Sequence, residues 1–363
     1  MAGSRIRLAR DVREVSQADL ARQIDMSMAQ LCRCERDERE LRAPELQRVA
    51  DALRFPARFF ESDCHVIGAL GEVQFRKKSA TLAGQRRKAV AEMNCGSLLA
   101  AHMSDMLGAL QVTLEFQALR PSDYNDSPAF GAHSVARAFH LPPGPIRNLT
   151  ELVEAAGVFV FVFDMGDDVF GLSHWPTDRH PVICINSRMT GDRYRWTLAH
   201  ELGHLVLHTK EADIEVMERQ ADEFAAELLM PREDVYPCLR GLTMQRLRDL
   251  KHDWGVSMQS LLRRAHELGL MSKYEITQYH ILFAKRGWRK REPETIPPEE
   301  SRLVSGMRRS LATRFGNTAA FAEAVGLPED LLARLTAVTR GPTMKHLRLV
   351  QGAEAEDPGS ELA

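Results

Sequence analysis

The sequence predicts an α+β protein that is mostly α, and three observations carry that prediction. Short amphipathic segments, each bounded by a polar capping residue, fill residues 5–60 with no plausible strand among them. One passage, between Leu149 and Asn186, is rich in β-branched and aromatic residues. Two long helical patterns, Arg193–Thr209 and Glu215–Met230, follow it, the second stopped by Pro231.

Residues 1–63 read as a domain of their own. SQADLARQIDMSMAQLCRCERDERELRAPELQRVADAL gives a helix over Gln17–Ile24, a tight turn over Asp25–Ser27, a helix over Met28–Arg36 and a further helix from Pro44. Ser16 and Ser27 are the expected N-caps, and Leu20, Ala21, Ile24, Leu31 and Cys34 supply a small core. This is helix-turn-helix spacing. It would lay the second helix, opened by Ser27, in a major groove, with Met28, Ala29, Gln30 and Arg33 nearest the base edges and Gln17 at the phosphate backbone. Residues 1–42 hold nine Arg and eight acids, so any footprint on DNA is local. A helical protein-interaction or dimerisation bundle is the rival reading.

Residues 64–145 form a helical connecting region whose basic stretch, Phe75–Lys88, reads as a solvated helix face, with contact to a polyanion as the alternative. Residues 146–290 form the second main domain. It begins with a helix over Leu149–Ala156, a strand in VFVFVF, a turn at Gly166-Asp167-Asp168 and a strand in VICIN, Val182–Asn186. The two long helical patterns and further helices complete it. The proline-rich, charged segment 291–300 is a linker, 301–350 a last helical region suited to bundling or dimerisation, and 351–363 a disordered tail.

A chain of 363 residues exceeds one ordinary core, and 48 basic against 50 acidic residues exclude a general attraction to nucleic acid or anionic lipid. The longest apolar run, Val158–Phe163, is too short to cross a bilayer, and no apolar segment follows the basic N-terminus. A cytoplasmic protein with no membrane contact is expected. The six cysteines form no Cys-x-x-Cys pair and read as reduced thiols, mostly in the core.

The chemistry lies in TLAHELGHLVLH, where His200-Glu201-Leu202-Gly203-His204 is an H-E-x-x-H pattern on a helix. His200 and His204 stand about 40° apart and one turn displaced, so both imidazoles reach one cation. Glu201, about 100° around from His200, is placed as general base rather than ligand. A third ligand is needed, and the downstream candidates are Glu211, Glu215, Glu218, Glu223 and Glu227. With Met217 at 0°, the apolar residues of the next helix span about −20° to 120°, and Glu218 falls inside that arc at about 100°. Glu223 and Glu227 fall on the opposite, polar side, while Glu211 and Glu215 lie too near the preceding loop to place. A carboxylate on a core-facing stripe needs a partner or a metal, which selects Glu218. Asp222, one turn on, can orient a ligating histidine, and His208, about 12 Å along the helix from His200, is structural or supports a ligand. Lys210 stands where a metzincin places its third histidine, which excludes that subclass. Val182, Ile183, Cys184 and Ile185 are expected as an edge strand that holds an extended peptide.

Two resemblances follow from these residues. Residues 1–62 resemble a Cro-type (XRE) helix-turn-helix through RLARDVREVSQADLA, LCRCERDERELRAPELQRVADAL and FPARFF. Residues from about 70 to 290 resemble the ImmA/IrrE metallopeptidases through QFRKKS, DRYRWTLAHELGHLVLH and ERQADEFAAELLMP. The second resemblance implies a gluzincin-like fold holding Zn2+ through His200, His204 and Glu218, with Glu201 as catalytic base. It also implies cleavage of a partner repressor of the helix-turn-helix class in a stress or mobile-element response. The expectation is a DNA-binding transcriptional regulator with a zinc-dependent endopeptidase domain. Its partners would be a double-stranded operator, a repressor or toxin, and possible second copies of itself. The alternative is a helix-turn-helix repressor or antitoxin whose peptidase-like domain is a sensor or partner-binding surface with little proteolysis.

Overall fold

Alternation in FVFVF decides where the rest of the chain packs. The computed structural model describes residues 2–61, 83–107, 127–176, 179–208, 213–289 and 291–337. The basic stretch up to residue 82, Cys64, Lys210, Glu211, residues 338–350 and the tail 351–363 lie outside the described residues. Strands β1 (Phe159–Phe163), β2 (Gly171–His174) and β3 (Val182–Asn186) form one sheet in the order β1-β3-β2. β1 runs parallel to β3, with Phe159 opposite Val182, and β2 runs antiparallel to it, with Gly171 opposite Ile185. Every residue of β1 and β3 is buried. Phe159, Phe161, Phe163, Val182 and Cys184 enter one core, while Val160, Val162, Ile183 and Ile185 enter another. The unbroken apolar runs in sequence are the mark of strands covered on both faces.

Helices α1 (Ala2–Val12), α2 (Gln17–Gln23), α3 (Met28–Glu35), α4 (Ala43–Leu53) and α5 (Arg58–Glu61) make the N-terminal bundle. The hydroxyl of Ser16 accepts from the Asp19 N–H and that of Ser27 from the Gln30 N–H, which fixes where α2 and α3 begin. Asp25 and Asp37 adopt φ of 54° and 58°, left-handed conformations that Asp tolerates better than most residues. Helix α6 (Ala83–Leu107) packs along α1 and reaches β3.

Beyond it come α7 (Pro128–Ala138), α8 (Leu149–Ala155), α9 (Gly191–Leu207), α10 (Ile214–Leu229), α11 (Arg232–Val235), α12 (Met244–Trp254), α13 (Met258–Glu267) and α14 (Lys273–Lys285). The second core joins α7 to α10 and α12 to α14 with one face of the sheet. α15 (Arg302–Phe315), α16 (Thr318–Val325) and α17 (Glu329–Leu335) close the other face together with α6 and the N-terminal bundle. Each fully buried large apolar side chain contributes roughly 1.5–3 kcal/mol. Among the described residues no helix is long and apolar enough to cross a membrane. The described cysteines are free thiols, with Cys34, Cys95 and Cys184 buried.

Residues 291–300 connect the two cores and are themselves fastened. Glu299 accepts from the N–H groups of Leu149 (3.1 Å) and Thr150 (2.7 Å) at the start of α8 and from Arg195. Glu292 accepts from the N–H groups of Met258 (2.8 Å) and Gln259 (3.1 Å) at the start of α13 and from Lys251. Composition reads such a segment as a solvated linker; here its carboxylates satisfy orphan donors at helix N-termini.

The expected edge strand is corrected by the topology. Val182, Ile183, Cys184 and Ile185 lie in β3, the middle strand, with β1 and β2 taking up its two edges. The edge beside α9 is β2, whose GLSH carries no alternation by which a strand is recognised in sequence.

Candidate metal centre

Helix α9 carries His200 and His204 one turn apart, and the way it meets α10 brings in the third group. Gly203 faces α10, where an added Cβ would stand 3.0 Å from Cδ1 of Phe224 and 3.3 Å from Cα of Ala221. Its missing side chain permits the close approach that sets Glu218 against the histidine pair. His200 Nε2 lies 3.1 Å from His204 Nε2, Glu218 Oε1 lies 3.3 Å from His204 Nε2, and Glu218 Oε2 lies 3.8 Å from His200 Nε2. A tetrahedral zinc ion with bonds of about 2.0–2.1 Å holds its ligand atoms roughly 3.3–3.4 Å apart, and the three donors stand within a few tenths of an ångström of that spacing. His200, His204 and Glu218 are the one such cluster of potential ligands among the described residues.

The ring nitrogens facing away are also engaged. Asp222 Oδ1 lies 3.1 Å from His200 Nδ1, and Asp222 Oδ2 lies 3.6 Å from an Arg263 nitrogen. His204 Nδ1 lies 2.9 Å from His208 Nδ1, and His208 Nε2 lies 3.0 Å from Gln220 Oε1. A carbonyl oxygen only accepts, so His208 donates through Nε2 and accepts at Nδ1. His204 then donates through Nδ1, which leaves the lone pair of Nε2 directed at the site. The arrangement needs a neutral His208, and burial pushes its pKa down to about 4. For His200, burial lowers the pKa, but its hydrogen bond to Asp222 and the charges of Glu201, Asp222 and Glu218 outweigh it and raise the value overall. A pair of imidazoles ringed by three carboxylates is a setting that attracts a cation.

Glu201 is buried beside them, and its Oε2 accepts from Ser173 Oγ at 2.7 Å. Gly171 opens the room for it: a Cβ there would meet Glu201 Oε1 at 2.7 Å and Thr197 Cγ2 at 2.6 Å. The His200–His204–Glu218 cluster lies in a cleft of about 320 Å³, walled also by Phe170, Gly171, Trp196 and Arg263. Ser173, Gly171, Gln220 and Arg263 carry no signal in sequence, because each acts through a pairing that only the tertiary fold creates. Glu227 is a further correction: expected on a polar face, it is buried, accepting from His133 at 2.9 Å and from Arg264. α7 and α13 cover the side of α10 that periodicity leaves to solvent.

The residues expected to meet DNA stand on the N-terminal bundle, apart from this cluster. Met28, at 57% exposure, and Ala29, Gln30 and Arg33 lie on the open face of α3. Gln30 Oε1 accepts from the Ser27 N–H at 3.0 Å, which completes the cap of that helix. Gln17 donates through Nε2 to Glu35 Oε2 at 3.0 Å, so one of its amide hydrogens is already committed.

Residues 153–266 match the family model described as the IrrE N-terminal-like domain, a peptidase family. The match runs from within α8 to within α13 and contains His200, Glu201, His204 and Glu218. The comparison with curated proteins finds no match.

Proposed function

We propose that this chain is a DNA-binding transcriptional regulator whose central domain is a zinc-dependent endopeptidase, acting on a partner repressor or similar regulatory protein. The observation that carries the reading is the convergence of His200 Nε2, His204 Nε2 and Glu218 beside the buried Glu201 carboxylate. The family match supports the same class, a metallopeptidase-type regulator of the IrrE kind. Zn2+ bound by these three residues would supply Lewis acidity and positive charge at the floor of the cleft. Glu201, oriented by the Ser173 hydroxyl, is the group that takes a proton at its carboxylate. The outer edge of β2 offers backbone donors and acceptors to a peptide laid alongside it. Asp222 and His208 hold the two imidazoles in register, and the open face of α3 with Gln17 is assigned to an operator.

Glu201→Gln tests the proposal. The variant is expected to keep its zinc and its operator affinity while losing about 10²–10⁴-fold in cleavage, and with it derepression of an operator-driven reporter. Derepression that survives the substitution overturns the peptidase reading and favours a regulator whose peptidase-like domain senses or binds a partner.

A further inference from the structure

We infer that the cleft continues into a subsite for an acidic side chain of the peptide, about three residues from the bond that is cut; the inference rests on the reading of the cleft as peptide-binding. A second concavity of about 400 Å³ adjoins it, and the two share Arg193, Trp196 and Arg263 in their walls. Its other cationic side chains are Lys251, Arg289 and Arg291, and its acids are Asp192 and Glu292. Both acids are committed to Lys251, and Glu292 also accepts the first N–H groups of α13. The arginines are less committed. Among the described residues no salt bridge is made by Arg193, Arg289 or Arg291, and Arg263 is half-exposed with bonds to Glu267 and Asp222. Four guanidinium groups thus line one groove whose two acids are both engaged by Lys251.

The position relative to the cluster follows from α9. Arg193 lies seven residues and Trp196 four residues before His200, so all three lie on one stripe of the helix, with Arg193 about 10 Å along the axis from His200. An extended peptide covers that distance in about three residues. The Arg193 guanidinium lies 4.0 Å from the centre of the Phe170 ring, the residue before β2, so it stands where a peptide paired to the β2 edge would leave the strand. Planar forked donors suit a carboxylate. The aromatic and basic character would also suit a single-stranded nucleic acid, but the groove opens into a cleft that carries His200 and Glu201 and is flanked by a strand edge, which favours a peptide.

Fluorescence anisotropy on the full-length, zinc-loaded chain tests it with three labelled dodecapeptides that differ only in carrying Glu, Gln or Lys, and with a dodecamer of thymidylate. The Glu peptide is expected to bind about tenfold more tightly than the Gln peptide, with the difference fading as salt rises. Arg193→Glu and Arg291→Glu, each checked for native helicity, should abolish that preference and favour the Lys peptide, while Arg309→Glu on α15 should not. Equal binding of the Glu and Gln peptides, indifference to both groove variants, or preferential binding of the thymidylate overturns the inference. Cleavage of the same peptides, mapped by mass spectrometry, separates the two readings. A chain that prefers the Glu peptide but cuts none retains the subsite and loses the peptidase function; one that cuts all three alike does the reverse.

Discussion

Two imidazoles share a cation only when their lone pairs face it, and the partner at the opposite ring nitrogen decides that. For His204 the partner is His208, fixed in turn by Gln220. The spacing of His200, His204 and Glu218 was legible in sequence because helical geometry alone puts them on facing stripes. The role of His208 was open, since its ring reaches His204 only where the helix ends and the backbone turns away at φ −112°. Gln220 could not be read at all, as nothing in its spacing distinguishes it from any solvated glutamine. His208→Ala should lower zinc affinity about 10–100-fold, measured by competition with a chromophoric chelator, with helicity unchanged. Undiminished affinity would mean that another group fixes the His204 tautomer.

At the scale of elements, the meeting of α9 with α10 depends on Gly203 against Ala221 and Phe224. A methyl at Gly203 must displace the Phe224 ring or move α10 by a few tenths of an ångström, and Glu218 travels with α10. Gly203→Ala is therefore expected to weaken zinc binding more than it lowers thermal stability, compared by calorimetry of the zinc-free and zinc-loaded forms. Equal loss in both forms would place its effect in packing alone. The long helices were legible to within two residues of their ends, because their periodicity runs over several turns and Pro231 stops the second. β2 was not: four residues of mixed burial leave too little pattern, and β3 was consequently taken for an edge. The acids of residues 291–300 misled in the same way, since composition does not reveal which helix starts they cap.

Across the whole molecule, the sheet lies between two cores, and the N-terminal bundle shares one of them with α15 to α17. Polar contacts reinforce that union: Arg13 pairs with Asp330 at 2.6 Å and Arg58 donates to the Glu323 carbonyl at 3.0 Å, while Lys88 of α6 pairs with Glu14 at 2.7 Å. The helical character of residues 301–350 was legible in sequence, but its destination was not, because helical periodicity does not state against what a face is buried. Removing residues 301–363 would uncover Phe159, Phe161 and the facing side of α6. The shortened chain should bind a hydrophobic dye and lose its cooperative unfolding transition. A sharp transition and no dye binding would show that the N-terminal bundle and the sheet hold together without those helices.

The central claim is that one cation is held by α9 and α10, and metal content tests it most directly. The purified chain should carry about one zinc ion, and Glu218→Ala close to none after the same chelator wash, at equal helicity. Full zinc occupancy in Glu218→Ala would contradict the assignment of the third ligand and the reading of the cleft built upon it.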